Sequence, residues 1–351
     1  MDLEELLVTG PKELKFKSYR ERKLRPNQVR AKAILSGISH GTELNLYRGT
    51  VPFYNKVFDM KMRLFLEGEN FSSYPIKLGY EWVGRVIEVG EEVRNYKEGD
   101  LIHLPLGHCT THTFAEDIKS MYGMTDALPN NITPDKAVFL SLGGVALQAI
   151  HDAHIKIGDR IAVFGLGTIG LLTIQLAKLN GASWVDAVDP IPMRREFAKN
   201  LGADAVYNPL ECDAAKEIKS SSPNYGADIA IEISGNYNAL HEAIRSVKIS
   251  GTVVAAGFYQ GEAKGLRLGE EWHHNRITMH SSMGVWGNPH RDYPSWDRNR
   301  IHETVIELLE KDKISIDNFI THRIPFKNAS EAYELIDKNP KNIIKIVLKY
   351  D

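Results

Sequence analysis

The chain has 351 residues, 43 Lys+Arg against 45 Asp+Glu, and a formal net charge of −2. That length predicts two domains, and the balanced charge offers no basic field to hold a nucleic-acid backbone. Cys109 and Cys212 are its two cysteines, which excludes a disulfide framework and a zinc lobe built from four cysteines of one chain. The first residues, MDLEELLVTGPKELKFKS, have no basic stretch followed by an apolar one. No apolar run approaches the ~20 residues that span a bilayer. The closing KIVLKYD carries no lipidation signal. The expectation is a cytoplasmic protein with neither a membrane nor a nucleic acid as partner.

Up to about residue 135 the pattern is of short strands between Gly and Pro turns. Val29–Leu35 alternates as a half-buried strand does, and Val83–Glu88 and Leu101–Leu104 read as further strands. Lys56–Glu67 has apolar residues at helical spacing with Gly68 after it, and predicts a helix. From about residue 141 the period changes. Ile161–Phe164 is a short apolar run suited to a strand buried on both faces. A helix over 168–180 follows, then strand 184–188, helix 192–200, strand 205–207, strand 228–233, helix 237–247 and strand 252–256. Such alternation predicts a parallel sheet covered by helices. A polar loop (284–298), helices near 300–311 and 330–337, and a strand over 343–348 complete the chain.

Gly165-Leu166-Gly167-Thr168-Ile169-Gly170 fits GxGxxG, directly after a predicted strand and at the start of a predicted helix. Gly165 permits the tight turn, Gly167 lets backbone approach a pyrophosphate, and Gly170 lets the helix pack on the strand. Thr168 and Ile169 open the helix whose N–H groups face the phosphates. About twenty residues on, Asp189 is placed to bind ribose hydroxyls, which favours NAD over NADP. Arg194 and Arg195 stand just beyond it, within reach of a phosphorylated ribose. Neither a GxSxG elbow nor a phosphate loop of the GxxxxGK[ST] type occurs, so serine-hydrolase and NTPase readings have no support.

GLGTIG with Asp189, preceded by Gly79-Tyr80-Glu81 and by Val89-Gly90 and Gly99-Asp100, resembles the medium-chain dehydrogenase/reductase superfamily over nearly the whole chain. The resemblance implies an α/β protein made of a GroES-like, β-rich catalytic domain (1–141 and 284–351) and a Rossmann doubly wound parallel-sheet domain (142–283). The active site would be the cleft between them, and the oligomer a homodimer or homotetramer. Where zinc members have three ligands, this chain has Ser39, Tyr80 and a residue at or next to Ser141, and neutral hydroxyls do not replace thiolate and imidazole. The expectation is a zinc-independent branch without a metal site. ISHGTE, GYEWVG, EWHHNRITMHSS, YPSWDRNR and ITHRIPFKNASEAYELID are similar to a group that includes bacteriochlorophyllide-type and sugar or cyclitol dehydrogenases.

The implied activity is hydride transfer between NAD and a secondary alcohol or ketone, on a polar ring. A quinone or enone reductase, or a non-catalytic nucleotide-binding member, is the alternative. Without zinc, side chains must move the proton. By resemblance Thr42 matches the relay hydroxyl and Glu43 the acid behind it. Tyr80 takes the place of a histidine ligand, Glu81 matches an acid beside it, and His40 sits in extra spacing and reaches solvent or the pyrophosphate. Packing or ion-pair roles are open for Tyr80, Glu43, Glu81 and His40. The resemblance also assigns Ser234, Gly235, Ala256, Gly257, Phe258, Ser282 and Met283 to the cofactor crevice, and Lys345 to the pyrophosphate. Residues 53–75, Trp286 and His290 are candidates for the substrate wall. His103, His108, Cys109 and His112 cluster in sequence, but no partner pair follows at zinc-finger spacing.

Overall fold

The structure is a computed structural model that describes residues 3–51, 56–68, 74–118, 127–223, 225–284 and 290–351. Trp286 and parts of the 53–75 segment lie outside the described residues. In the second half, strands Ala205–Tyr207, Trp184–Val188, Arg160–Phe164, Ala227–Glu232, Val247–Ala255 and Thr278–Ser281 lie side by side in that order, all parallel. Every residue of Arg160–Phe164 is buried, as a central strand covered on both faces must be. The order reverses at this strand. The loops that leave the carboxyl ends of the strands therefore meet along one edge, which is where doubly wound sheets bind ligands.

The first half builds a second sheet around the strand Gln28–Gly37. Trp82–Val89 pairs with it antiparallel, Leu101–Leu104 pairs with Trp82–Val89, and Thr111–Ala115 pairs with Gln28–Gly37. The chain returns here at its end, where Lys345–Lys349 pairs antiparallel with Gln28–Gly37, and Ile320–Pro325 pairs parallel with Lys345–Lys349. Trp82 is fully buried in this half and donates from Nε1 to the Cys109 carbonyl at 2.8 Å. A helix, Thr42–Arg48, interrupts the β pattern and stops at Gly49, whose φ of 72° suits a residue without Cβ.

The helix expected over Lys56–Glu67 is instead a hairpin, with Lys56–Asp59 antiparallel to Leu64–Glu67. Its turn begins at Asp59, whose Oδ1 accepts from Lys61 N at 2.8 Å and Met62 N at 2.7 Å. Such an Asx turn offers the backbone an alternative to helical bonds. Phe58 and Phe65 then face each other across the strands with ring centroids 4.8 Å apart. Their helical spacing also brings them into register in a hairpin. The remaining elements match their expected places to within a few residues. Among the described residues no helix is long and apolar enough to cross a membrane.

Candidate active site

The fingerprint glycines have three different surroundings. Gly165 has φ 88°, and a Cβ there would lie 2.8 Å from Ser234. A Cβ on Gly170 would lie 2.0 Å from the Gly165 carbonyl oxygen, so helix Thr168–Leu179 can pack against the loop only with glycine there. At Gly167 a Cβ would meet nothing within 4 Å. This is open space at the uncapped start of a 12-residue helix, and it fits a dinucleotide pyrophosphate. The Thr168 hydroxyl donates to the Ile344 carbonyl at 3.0 Å, so it ties the helix to the C-terminal segment.

Asp189 is buried, and its carboxylate is already partly engaged. Oδ2 accepts from Leu166 N and Oδ1 from Ile191 N, each at 2.8 Å, with Arg194 at 3.7 Å. It pins the glycine-rich loop as well as closing the edge where a ribose would lie. Sequence reasoning missed Glu232, which does the same one strand over. It accepts from Ser234 N at 2.7 Å and Gly235 N at 3.1 Å, and from the hydroxyls of Ser234 and Tyr259. Burial pushes its carboxyl above the ordinary value, and those hydrogen bonds oppose the shift. A Cβ on Gly257 would lie 2.3 Å from Gly235 N, so these two predicted cofactor loops touch. Ser282 N donates to the Ala255 carbonyl at 3.0 Å, which brings Ser282 and Met283 to the same edge as Ala256 and Phe258.

The second half of the site forms where Gln28–Gly37 ends and Trp82–Val89 begins. The Tyr80 hydroxyl lies 2.5 Å from Ser39 Oγ. Ser141 Oγ donates to the Tyr80 carbonyl at 2.8 Å and lies 3.2 Å from His103 Nε2. Burial pushes the Tyr80 phenol well above its ordinary pKa and Glu81 adds to this, while bonds to Ser39 and Thr42 oppose it. Tyr80 is therefore a neutral phenol at neutral pH.

Glu43 does not open into the cleft. It is 1% exposed, with Oε1 accepting from Ser39 N at 2.8 Å and Oε2 accepting from His108 Nε2 at 2.9 Å and from the Tyr333 hydroxyl. Burial pushes its carboxyl up, but His108, Tyr333 and Ser39 outweigh burial and hold it below the ordinary value. Glu81 pairs with Lys345, whose Nζ also donates to the Ile38 carbonyl at 3.0 Å. Lys345 is 1% exposed and its Nζ faces Glu81 and the Ile38 carbonyl, where the resemblance implied the pyrophosphate. Gly37 makes room for the pair, since a Cβ there would lie 2.5 Å from Glu81 Oε2 and 2.6 Å from Lys345 Cε.

Residues 343–345 join the two halves. Thr168 and Arg194 reach the carbonyls of Ile344 and Ile343, while Lys345 reaches Ile38 and Glu81. His40 lies in the field of Lys345 and Arg194. Burial first, then those two cations, hold its imidazole well below the ordinary pKa. Its Nε2 is buried without a hydrogen-bond partner.

A relative described as D-guloside 3-dehydrogenase, from Escherichia coli (strain K12), is 32% identical over 98% of this chain and 99% of its own length. The chain belongs to the medium-chain dehydrogenase/reductase superfamily. A family profile described as "Alcohol dehydrogenase GroES-like domain" matches residues 26–157 of this dehydrogenase, and one described as "Zinc-binding dehydrogenase" matches 168–300. The crystal structure of 2R,3R-butanediol dehydrogenase from Bacillus subtilis superposes with a TM-score of 0.78 and 25% identity, covering 99% of this chain and 100% of that one. A zinc-binding dehydrogenase from Sinorhizobium meliloti bound to NADP shares the fold, with a TM-score of 0.77, 21% identity and 99% coverage of each chain. This medium-chain dehydrogenase is thus an NAD(P)-dependent alcohol dehydrogenase.

The expectation of NAD without zinc does not stand. The matched family is described as zinc-binding and its members act on alcohols, which points to catalytic zinc. The cofactor is NAD(P), without a choice between the two. The donors that meet at Tyr80 in this dehydrogenase, the hydroxyls of Ser39 and Tyr80 with Ser141 behind them, do not fit a zinc ion, which takes thiolate, imidazole or carboxylate. The histidines near Cys109 diverge. His108 turns to Glu43, His103 to Ser141, and His112 to the Gly107 carbonyl and Cys109. Among the described residues the His/Glu group close enough to share a cation is His241, Glu270 and Glu271. There Arg267 and Arg245 already face the two carboxylates.

Proposed function

We propose that the chain interconverts a secondary alcohol and its ketone on a polar, sugar-like ring. The substrate would lie in the cleft between residues 1–141 with 284–351 on one side and 142–283 on the other. The observation that carries this reading is the Tyr80 phenol against Ser39, on the side of residues 343–345 opposite the glycine-rich loop. The name of the 32%-identical relative, D-guloside 3-dehydrogenase, supports a sugar-like substrate.

Gly165, Gly167, Gly170 and the first turn of helix Thr168–Leu179 would hold the dinucleotide phosphates, with Asp189 beside the adenosine ribose. When bound, the nicotinamide supplies or accepts the hydride. Tyr80 supplies the proton. As a ketone is reduced, its phenol donates to the carbonyl oxygen, and the Ser39 hydroxyl hydrogen-bonds to the phenolate left behind until a proton returns. Alcohol oxidation runs the same path in reverse, so the phenol first gives up its own proton to solvent and then accepts the alcohol's. His40, neutral and unpartnered at Nε2, would meet the dinucleotide on its phosphate side.

The test is a screen of sugars, cyclitols, simple secondary alcohols and enones with NAD(H) and NADP(H). Turnover of ring alcohols is expected. Reduction of enones or quinones, with ring alcohols inert, would replace this reading with the reductase alternative.

A further inference from the structure

We infer that His108 is a positioning residue for Tyr80, and that it acts through Glu43 and Ser39 to hold the phenol in its reactive placement. The inference rests on the reading of Tyr80 as the proton-exchanging group. The path is short and buried. The Tyr80 hydroxyl meets Ser39 Oγ at 2.5 Å, Ser39 N donates to Glu43 Oε1 at 2.8 Å, and His108 Nε2 donates to Glu43 Oε2 at 2.9 Å. Because a carboxylate only accepts, Nε2 carries a proton, and on the other side of the ring Nδ1 meets Ser36 Oγ at 2.7 Å. Ser36 in turn meets the Tyr350 hydroxyl at 3.0 Å. His108 is also fixed by its backbone, with its N donating to the Leu78 carbonyl at 2.7 Å and its carbonyl accepting from Leu6 N at 2.9 Å.

The histidine touches the Tyr80 segment a second way. Gly79 has φ 104°, and a Cβ on it would lie 2.9 Å from His108 N and 3.0 Å from the imidazole ring. The residue before Tyr80 therefore packs directly on His108, while the Glu43 carboxylate holds the loop that carries Ser39. The link passes no proton, because Glu43 meets Ser39 at a backbone N–H and not at its hydroxyl. Its effect is placement. Without the imidazole, Glu43 Oε2 keeps Tyr333 alone, its grip on Ser39 relaxes, and the Ser39–Tyr80 contact opens. Small misplacements of this kind are costly in rate.

A double-mutant cycle tests the inference, with kcat, KM, dinucleotide Kd and thermal melting read for each folded variant. His108→Ala is expected to lower kcat by about tenfold or more, with dinucleotide Kd within about twofold. His108→Gln, whose amide can donate where Nε2 does, is expected to recover most of that loss. In a Tyr80→Phe background, His108→Ala and Ser39→Ala should each change kcat by less than about twofold, since the group they position is gone. If His108→Ala does not fold, the Ser39→Ala cycle with His108→Gln decides. Losses that multiply with that of Tyr80→Phe overturn the brace and leave the role of Tyr80 standing. A Tyr80→Phe enzyme at full rate overturns the reading of Tyr80, and the inference with it.

Discussion

Replacing Lys345 with methionine gives the sharpest energetic prediction. The side chains of Glu81 and Lys345 are 0% and 1% exposed, so water cannot take over from a lost partner. Breaking a buried pair on one side costs about 3–5 kcal/mol, because the remaining charge is buried uncompensated. The Ile38 carbonyl loses its donor as well. Burial already holds the Glu81 carboxyl above its ordinary pKa, with Lys345 opposing the rise and Glu43 adding to it, so losing Lys345 drives it higher. A carboxyl raised in the fold favours the folded state when protonated. Its contribution is present below the unfolded pKa and is lost as pH rises through the folded one. Lys345→Met should therefore be about 3–5 kcal/mol less stable than the parent near pH 8, with the deficit shrinking as the solution is acidified. Urea unfolding followed by intrinsic fluorescence at several pH values measures this. Glu81→Gln combined with Lys345→Met should recover a large part of the loss. A loss under about 1 kcal/mol near pH 8, or a deficit that grows on acidification, would refute the buried-pair reasoning.

Further outcomes are expected at the cofactor and the phenol. Tyr80→Phe should lower kcat by about 10²–10⁴-fold while dinucleotide Kd, read by fluorescence titration, stays unchanged. Gly167→Ala should fold normally, because nothing lies within 4 Å of the added Cβ, yet bind the dinucleotide more weakly. Gly170→Ala should lower the melting temperature as well, since its Cβ would lie 2.0 Å from a carbonyl oxygen. Asp189→Asn should raise NADPH affinity relative to NADH by removing negative charge beside the ribose, and equal effects on both dinucleotides would place that side chain away from it.

The sequence by itself determined the parallel sheet and the dinucleotide crevice. Those rest on local, periodic signals, namely the apolar run Ile161–Phe164, three glycines at fixed spacing, and an acid one strand further on. Geometry bears on each of these locally, so spacing alone locates it. The hairpin at Lys56–Glu67 was illegible because Val57, Phe58, Phe65 and Leu66 fit either period, and the Asp59 turn decided between them. The reaction half of the site was legible in residue type and not in arrangement. Tyr80 and Ser39 stood out as departures from a known pattern and Glu43 as a match to it, but only tertiary packing joined Glu43 to His108 and Tyr333, and Lys345 to Glu81. Those partners are far apart along the chain, and it is burial that makes them choose each other. An ionised group removed from water must find an opposite charge or a donor nearby, and the fold decides which one is there.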